Sequence, residues 1–277
     1  ARDQSADFSA SPVQRMDAGS AVLEVDAERW RTRLAAASGR LTGLAHVEDS
    51  SVAMMVKAET RFFVTTEGTR LVLPRTSARI TIFLRATAPD GMTIRVYEAF
   101  DGKTAAEMPD QAELNAAVDA AAARLLALKS ASLVEPTTAP AILKGRAAAV
   151  FFHEVLGHRI EGHRQKDDDE GQTFTDMVGQ MVLPSFLSVV DDPTLSSLNG
   201  HHLNGHYTHD DEGVMAQRVV VVNQGRLEGF LTSRSPIAGT PFSNGHGRRE
   251  GGNHVVSRQG NLIVEASKTV SASRLKD

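Results

Sequence analysis

The chain has 277 residues, 41% hydrophobic and 23% charged, with a formal net charge of -4, which is enough chain for one large domain or two smaller ones, each with its own core. The acidic balance and the lack of a Lys/Arg run argue against a nucleic-acid surface, and no apolar run approaches the roughly 18 residues of a membrane span. With no cysteine, disulfides, thiolate metal ligands and a cysteine nucleophile are excluded. The N-terminal stretch ARDQSADFSASPVQRMD is polar and lacks an apolar signal core, so a cytoplasmic protein is expected, or a periplasmic one if a leader was trimmed.

Asp26–Arg40 reads as a helix with Asp26 as its cap and Gly39 at its end. Ser51–Arg61 and Phe62–Thr66 read as strands, and Glu67-Gly68 as a hairpin turn into Thr69–Leu73. Ala78–Ala88 alternates apolar and polar residues, turns at Asp90-Gly91 and returns as Met92–Phe100. Pro109–Leu128 is the clearest helix, with Pro and Asp at its start. Ser130–Ala141 is a Pro/Thr/Ser-rich connection, which places a domain boundary there and gives units 1–135 and 136–277. A helix is expected from about Gly145 to Gln165, ended by the acidic run Asp167–Glu170. Short strands follow at Met181–Val190, Gln217–Asn223 and Gly225–Thr232, the last two joined at Gln224-Gly225. The fold class is α+β: an antiparallel or mixed N-terminal sheet with helices, then a histidine-bearing helix and a mostly antiparallel β remainder.

Of ten histidines, nine lie between His153 and His254, which concentrates the candidate chemistry in the second half. His153-Glu154-Val155-Leu156-Gly157-His158 has the form HExxxH. The shorter HExxH spacing puts two histidines on one helical face with a glutamate that activates water. One extra residue turns the second imidazole about 140° away on a regular helix. A shared metal therefore requires the helix to be overwound or to carry a π-type bulge near residues 154–158, with Gly157 as the least strained place for it. The apolar run Ala147–Phe152 suggests a buried segment with Glu154 desolvated at its end, as a general base requires. His163 is expected at the surface or behind the ligands, and two histidines on a helix also arise by chance.

Several segments together resemble the TldD/PmbA family (peptidase family U62, also called modulator of DNA gyrase). HEVLGHRIEG, Gly171–Thr194, His209–Arg234, SNGHGRRE at Ser243–Glu250 and ETRFFVTTEGTR at Glu59–Arg70 occur in the family's order, from about residue 50 to about residue 265. The resemblance implies a zinc metalloprotease of α+β architecture that hydrolyses peptides or unfolded polypeptides and works as a homodimer or as a heterodimer with a related chain. It carries His153 and His158 over as zinc ligands and Glu154 as the catalytic glutamate. Neither nucleic acid nor membrane is an expected partner. The family's third ligand is a downstream cysteine in a C-terminal β-rich segment; this chain has no cysteine, so either that segment is missing here or another ligand is used, for which Glu161, His206, His209, Asp210 and Asp211, with His246 behind them, are the candidates. The alternative is a non-catalytic, metal-free partner or peptide-binding subunit of the same fold. The loop Asn244–Arg249 offers arginines and backbone N–H groups that suit a substrate carboxylate.

Overall fold

The computed structural model describes residues 8–166 and 172–275. Its elements run β1 (Arg15–Asp17), α1 (Ala27–Gly39), β2 (Asp49–Val64), β3 (Arg70–Thr87), β4 (Thr93–Gly102), α2 (Gln111–Lys129), α3 (Arg146–Val155), β5 (Leu187–Asp191), β6 (Ser197–Leu198), β7 (His201–His202), β8 (Val219–Asn223), β9 (Arg226–Leu227), β10 (Gly247–Arg248), β11 (Val256–Ser257) and β12 (Leu262–Ala266). The fold is α+β. The chain forms two compact units, one of Asp17–Phe62 and Val72–Thr138, the other of Ala1–Met16, Phe63–Leu71 and Ala139–Asp277.

In the first of these, capping sets the helix starts. The Asp26 carboxylate accepts the Arg29 N–H at 3.0 Å, and Asp110 accepts that of Glu113 at 2.8 Å, each satisfying an amide that the first helical turn leaves open. Leu114, Val118, Ala121, Ala122 and Leu125 recur along α2 at helical spacing and are buried. They share a core with Ile80, Ile82, Leu84 and Ala86 of β3, whose strand period of two aims them to one face. β3 and β4 are antiparallel from Ala78↔Gly102 to Thr87↔Thr93. Their turn carries Gly91 at φ 89°, a left-handed conformation that glycine adopts without strain. The strands expected at Ser51–Arg61 and Phe62–Thr66 are one strand, β2. Its inside–outside alternation slips at Thr60 and Arg61, which is why its sequence reads as two.

The other unit is built on the antiparallel sheet β12-β5-β8-β9. Gln224 and Gly225, at φ 47° and 83°, form the tight β8–β9 turn, where two left-handed residues match the twist of the strands. The strands are shorter than expected. Met181 makes only an isolated bridge to Arg226, and β9 stops at Leu227. Leu156 and Ile160, just past α3, pack with Val189, Val221, Val222, Leu227 and Leu231. The helix expected from Gly145 to Gln165 is instead α3 followed by two 3-10 turns, Gly157–Ile160 and Gly162–Gln165. The acidic run Asp167–Glu170 lies outside the described residues.

Candidate metal centre

His153 and Glu154 lie in the last turn of α3, and His158 in the 3-10 turn that follows. Between them Leu156 departs from helical geometry at φ -114°, ψ -53°. Its N–H still bonds to Phe152 O at 3.1 Å, while its own carbonyl accepts from Arg159 and Ile160 at 2.9 and 3.1 Å. The α-helix thus ends and a tighter turn begins on one residue, pinned because the Leu156 side chain is buried in the sheet core. The distortion falls within the expected window and takes the overwound form, a 3-10 tightening, rather than that of a π-type bulge.

This break brings the imidazoles together. The rings of His153 and His158 meet edge to face with centroids 4.5 Å apart. His153 Nε2 is 4.0 Å from one oxygen of Glu154, and His158 Nε2 is 3.8 Å from the other. One ligand atom from each of the three side chains lies within 4.8 Å of the others. Among the described residues this is the group of His, Asp and Glu side chains arranged to hold a metal ion. Two imidazole nitrogens and a carboxylate are a donor set that suits zinc, so the residues present fit the ion that the motif suggests.

The expected burial of the segment is corrected. No residue of α3 is buried, and the Glu154 side chain is 61% exposed. Val150, Phe151 and Val155 are exposed as well. The run Ala147–Phe152 is apolar without being core, since only Leu156 and Ile160 beyond it reach the sheet.

The candidates for a further ligand are placed elsewhere. Glu161 is fully buried with both oxygens 3.2 Å from His158 Nδ1, so it faces the back of the imidazole. His163, half-buried on the second 3-10 turn, does not join the group. His206 Nδ1 faces Pro193 O at 3.0 Å. His246 sits between Asn244 O and Oδ1, both at 3.0 Å from Nδ1, and Asp191 Oδ1, at 3.1 Å from Nε2. Asp210 accepts the N–H groups of Glu212, Val214 and Gly247, each at 2.9 Å. Desolvation nevertheless pushes its carboxyl above the usual range, against those three amides. Asp211 accepts from Arg248 Nε at 3.1 Å and Arg249 N at 2.9 Å, and His209 Nδ1 lies 3.3 Å from Thr208 Oγ1. These residues tie the Asp210–Gly213 and Asn244–Arg249 loops to one another. Arg248 of the arginine loop is paired with Asp211 and stacked 4.2 Å over the Tyr207 ring, while Arg249 is exposed.

Sequence reasoning missed the pairing of Glu67 with Arg234. The buried guanidinium holds both Glu67 oxygens at 2.7 and 2.6 Å and donates to Ser9 O at 2.9 Å. The hydrogen bond from Arg234 holds the Glu67 carboxyl below its usual range. With the partners 167 positions apart in the sequence, no local pattern could have signalled it.

Residues 136–277 match the PmbA/TldA metallopeptidase C-terminal domain. A metalloprotease of Methanocaldococcus jannaschii is 28% identical over 206 residues, covering 74% of this chain and 44% of the relative. A metalloprotease TldD homolog of Haemophilus influenzae is 31% identical over 118 residues, covering 42% and 23%. The chain therefore spans less than half the length of the curated relatives it matches. The crystal structure of TldE from Thermococcus kodakarensis aligns with TM-score 0.59 at 16% identity, over 97% of this chain and 60% of that one. A structure from Thermotoga maritima, named for modulation of a DNA gyrase, aligns with TM-score 0.64 at 13% identity, over 92% and 57%. At these identities the structural matches speak for the fold alone.

Proposed function

The chain belongs to the PmbA/TldA metallopeptidase family, and from that premise we propose that it carries the catalytic centre of a zinc-dependent peptidase acting on peptides or unfolded polypeptides. The observation that carries this reading is the convergence of His153, Glu154 and His158 at a break in the helix, which a regular helix of the same sequence would not produce.

In this reading His153 and His158 would hold the ion. Zinc, when bound, supplies a Lewis acid for the scissile carbonyl and lowers the pKa of water. Glu154 takes a proton from the attacking water and passes it to the leaving amide nitrogen. Its exposure gives it access to substrate. Covering it by peptide or by a second chain would exclude bulk water from the site. We place a related chain, identical or homologous, over the exposed apolar residues Val150, Phe151 and Val155 of α3.

The test is metal content and peptide hydrolysis by the purified protein and by Glu154→Gln. The expected result is stoichiometric zinc in both, with turnover lower by about 10²–10⁴-fold in the variant. Equal cleavage by the two would defeat the mechanism.

One observation favours a second reading, a non-catalytic partner subunit of the same fold. None of the third-ligand candidates joins the two histidines and Glu154 among the described residues, and catalytic zinc is usually held by three protein ligands. Purified protein without zinc, and without affinity for it, would favour that alternative.

A further inference from the structure

Glu161 has no role in the reading above, yet it is the most constrained carboxylate near the histidines. It follows the 3-10 turn of His158, and its side chain is fully buried. Both oxygens stand 3.2 Å from His158 Nδ1. The rest of its bonding capacity is also engaged. Arg164 Nε reaches Oε2 at 3.1 Å, Arg258 Nε reaches Oε1 at 3.2 Å, and Gln259 Nε2 reaches Oε1 at 3.4 Å.

A buried carboxylate without partners costs several kcal/mol, roughly, through lost hydration. Arg164, Arg258 and Gln259 all face Glu161 with N–H groups, which offsets that cost and leaves its oxygens as acceptors in each of these contacts. The nitrogen facing it must then be the donor. We infer that Glu161, fixed by Arg164, Arg258 and Gln259, is a positioning residue that sets the His158 proton on Nδ1 and turns its Nε2 lone pair toward Glu154 and His153. The proton on one ring nitrogen fixes what the other can do, and a carboxylate behind an imidazole orients it for a metal. What the lone pair is for rests on the peptidase reading; the proton's location does not.

Gly157 belongs to the same device. Its φ is not left-handed, so backbone freedom is not what requires glycine there. A Cβ would overlap the Gln259 carboxamide. Gln259 has turned its amide N–H toward Glu161, and among the described residues its buried Oε1 has no hydrogen-bond partner. A polar atom left unpaired in this way is a sign that holding Glu161 takes precedence locally.

The experiment is long-range ¹H–¹⁵N correlation of the His158 ring in metal-free protein, beside zinc titration of the same samples. The wild type should show a protonated Nδ1 and an unprotonated Nε2. Glu161→Ala should lose that preference and weaken zinc binding by about 10–100-fold. Glu161→Gln, which keeps an acceptor oxygen, should retain the tautomer and recover part of the affinity. If Glu161→Ala does not fold, Gln259→Ala and Arg258→Ala, which loosen the carboxylate without removing it, should each broaden the ring signals and lower affinity to a smaller degree. A proton on Nε2 in the wild type, or folded variants with unchanged tautomer and unchanged affinity, overturns the inference. Wild-type protein that binds no zinc but keeps Nδ1 protonated would sink the peptidase reading and leave this one standing.

Discussion

The two units bury different chemistry. Among the described residues, every buried polar or charged side chain lies in the unit that carries His153 and His158, including Glu161, Asp191, Asp192, Asp210, Arg234 and His246. The buried side chains of the Asp17–Phe62 and Val72–Thr138 unit are apolar. An apolar core is held by non-directional burial and tolerates changes of shape that conserve volume. A buried polar network is directional. It demands specific partners, costs desolvation, and in return fixes angles and distances. The costly, directional kind lies in the unit that holds His153, Glu154 and His158.

Truncation within the apolar unit sharpens that comparison most. Leu125 is fully buried against β3 and the rest of α2, so Leu125→Ala should cost about 2–5 kcal/mol, the lost transfer energy plus a cavity. Leu125→Met, at similar volume, should cost less than about 1.5 kcal/mol. Urea denaturation of the two variants measures both. Equal losses would mean that this core is as shape-specific as the polar unit.

The same division decides what can be read from the sequence. The elements of the apolar unit follow local rules. Asp26 and Asp110 announce their helices because a cap acts over three residues, and Asp90-Gly91 announces a hairpin because the turn's dihedrals are intrinsic. The Gln224-Gly225 turn of the other unit is legible for the same reason. What misleads there is non-local. The helix expected to run to Gln165 breaks at Leu156 because that side chain belongs to the sheet core. Gly157 answers to Gln259, about a hundred residues later, and Glu161 to Arg258. The spacing of His153 and His158 states that a break is needed; only packing decides that it is a 3-10 turn. The apolar character of Ala147–Phe152 signals burial, but nothing in the run tells whether the chain itself provides the cover.

Glu212 tests the cost of the polar unit. Burial pushes its carboxyl up to about 7, outweighing the Arg234 N–H that donates to it at 2.5 Å. Because this value lies above the ordinary 4.5, the folded state binds the proton more tightly than the unfolded chain. Glu212 therefore favours folding most below the ordinary value. That advantage falls as pH rises toward 7 and is gone above it. Glu212→Gln removes the titration and keeps an acceptor for the amide. Its melting temperature should exceed the wild type's by a few degrees at about pH 8, and the difference should vanish near pH 4. A wild-type stability that stays flat across this window would show that the carboxylate is adequately solvated.

The smallest expected effect concerns α3, whose apolar residues contradict the pattern of both cores. Leu125 and Phe151 are both large and apolar on helices, but Leu125 is fully buried and Phe151 is 46% exposed. If α3 contributes little to the stability of this chain, Phe151→Ser should change it by no more than about 0.5 kcal/mol, as at ordinary surface positions. The same substitution should weaken association with a related chain, because it removes apolar surface from the face that such a chain would cover. Thermal melting reads the first effect and sedimentation at several concentrations the second. A loss of about 2 kcal/mol or more in the isolated chain would place Phe151 in the same class as Leu125, and the contrast between the two helices would then dissolve.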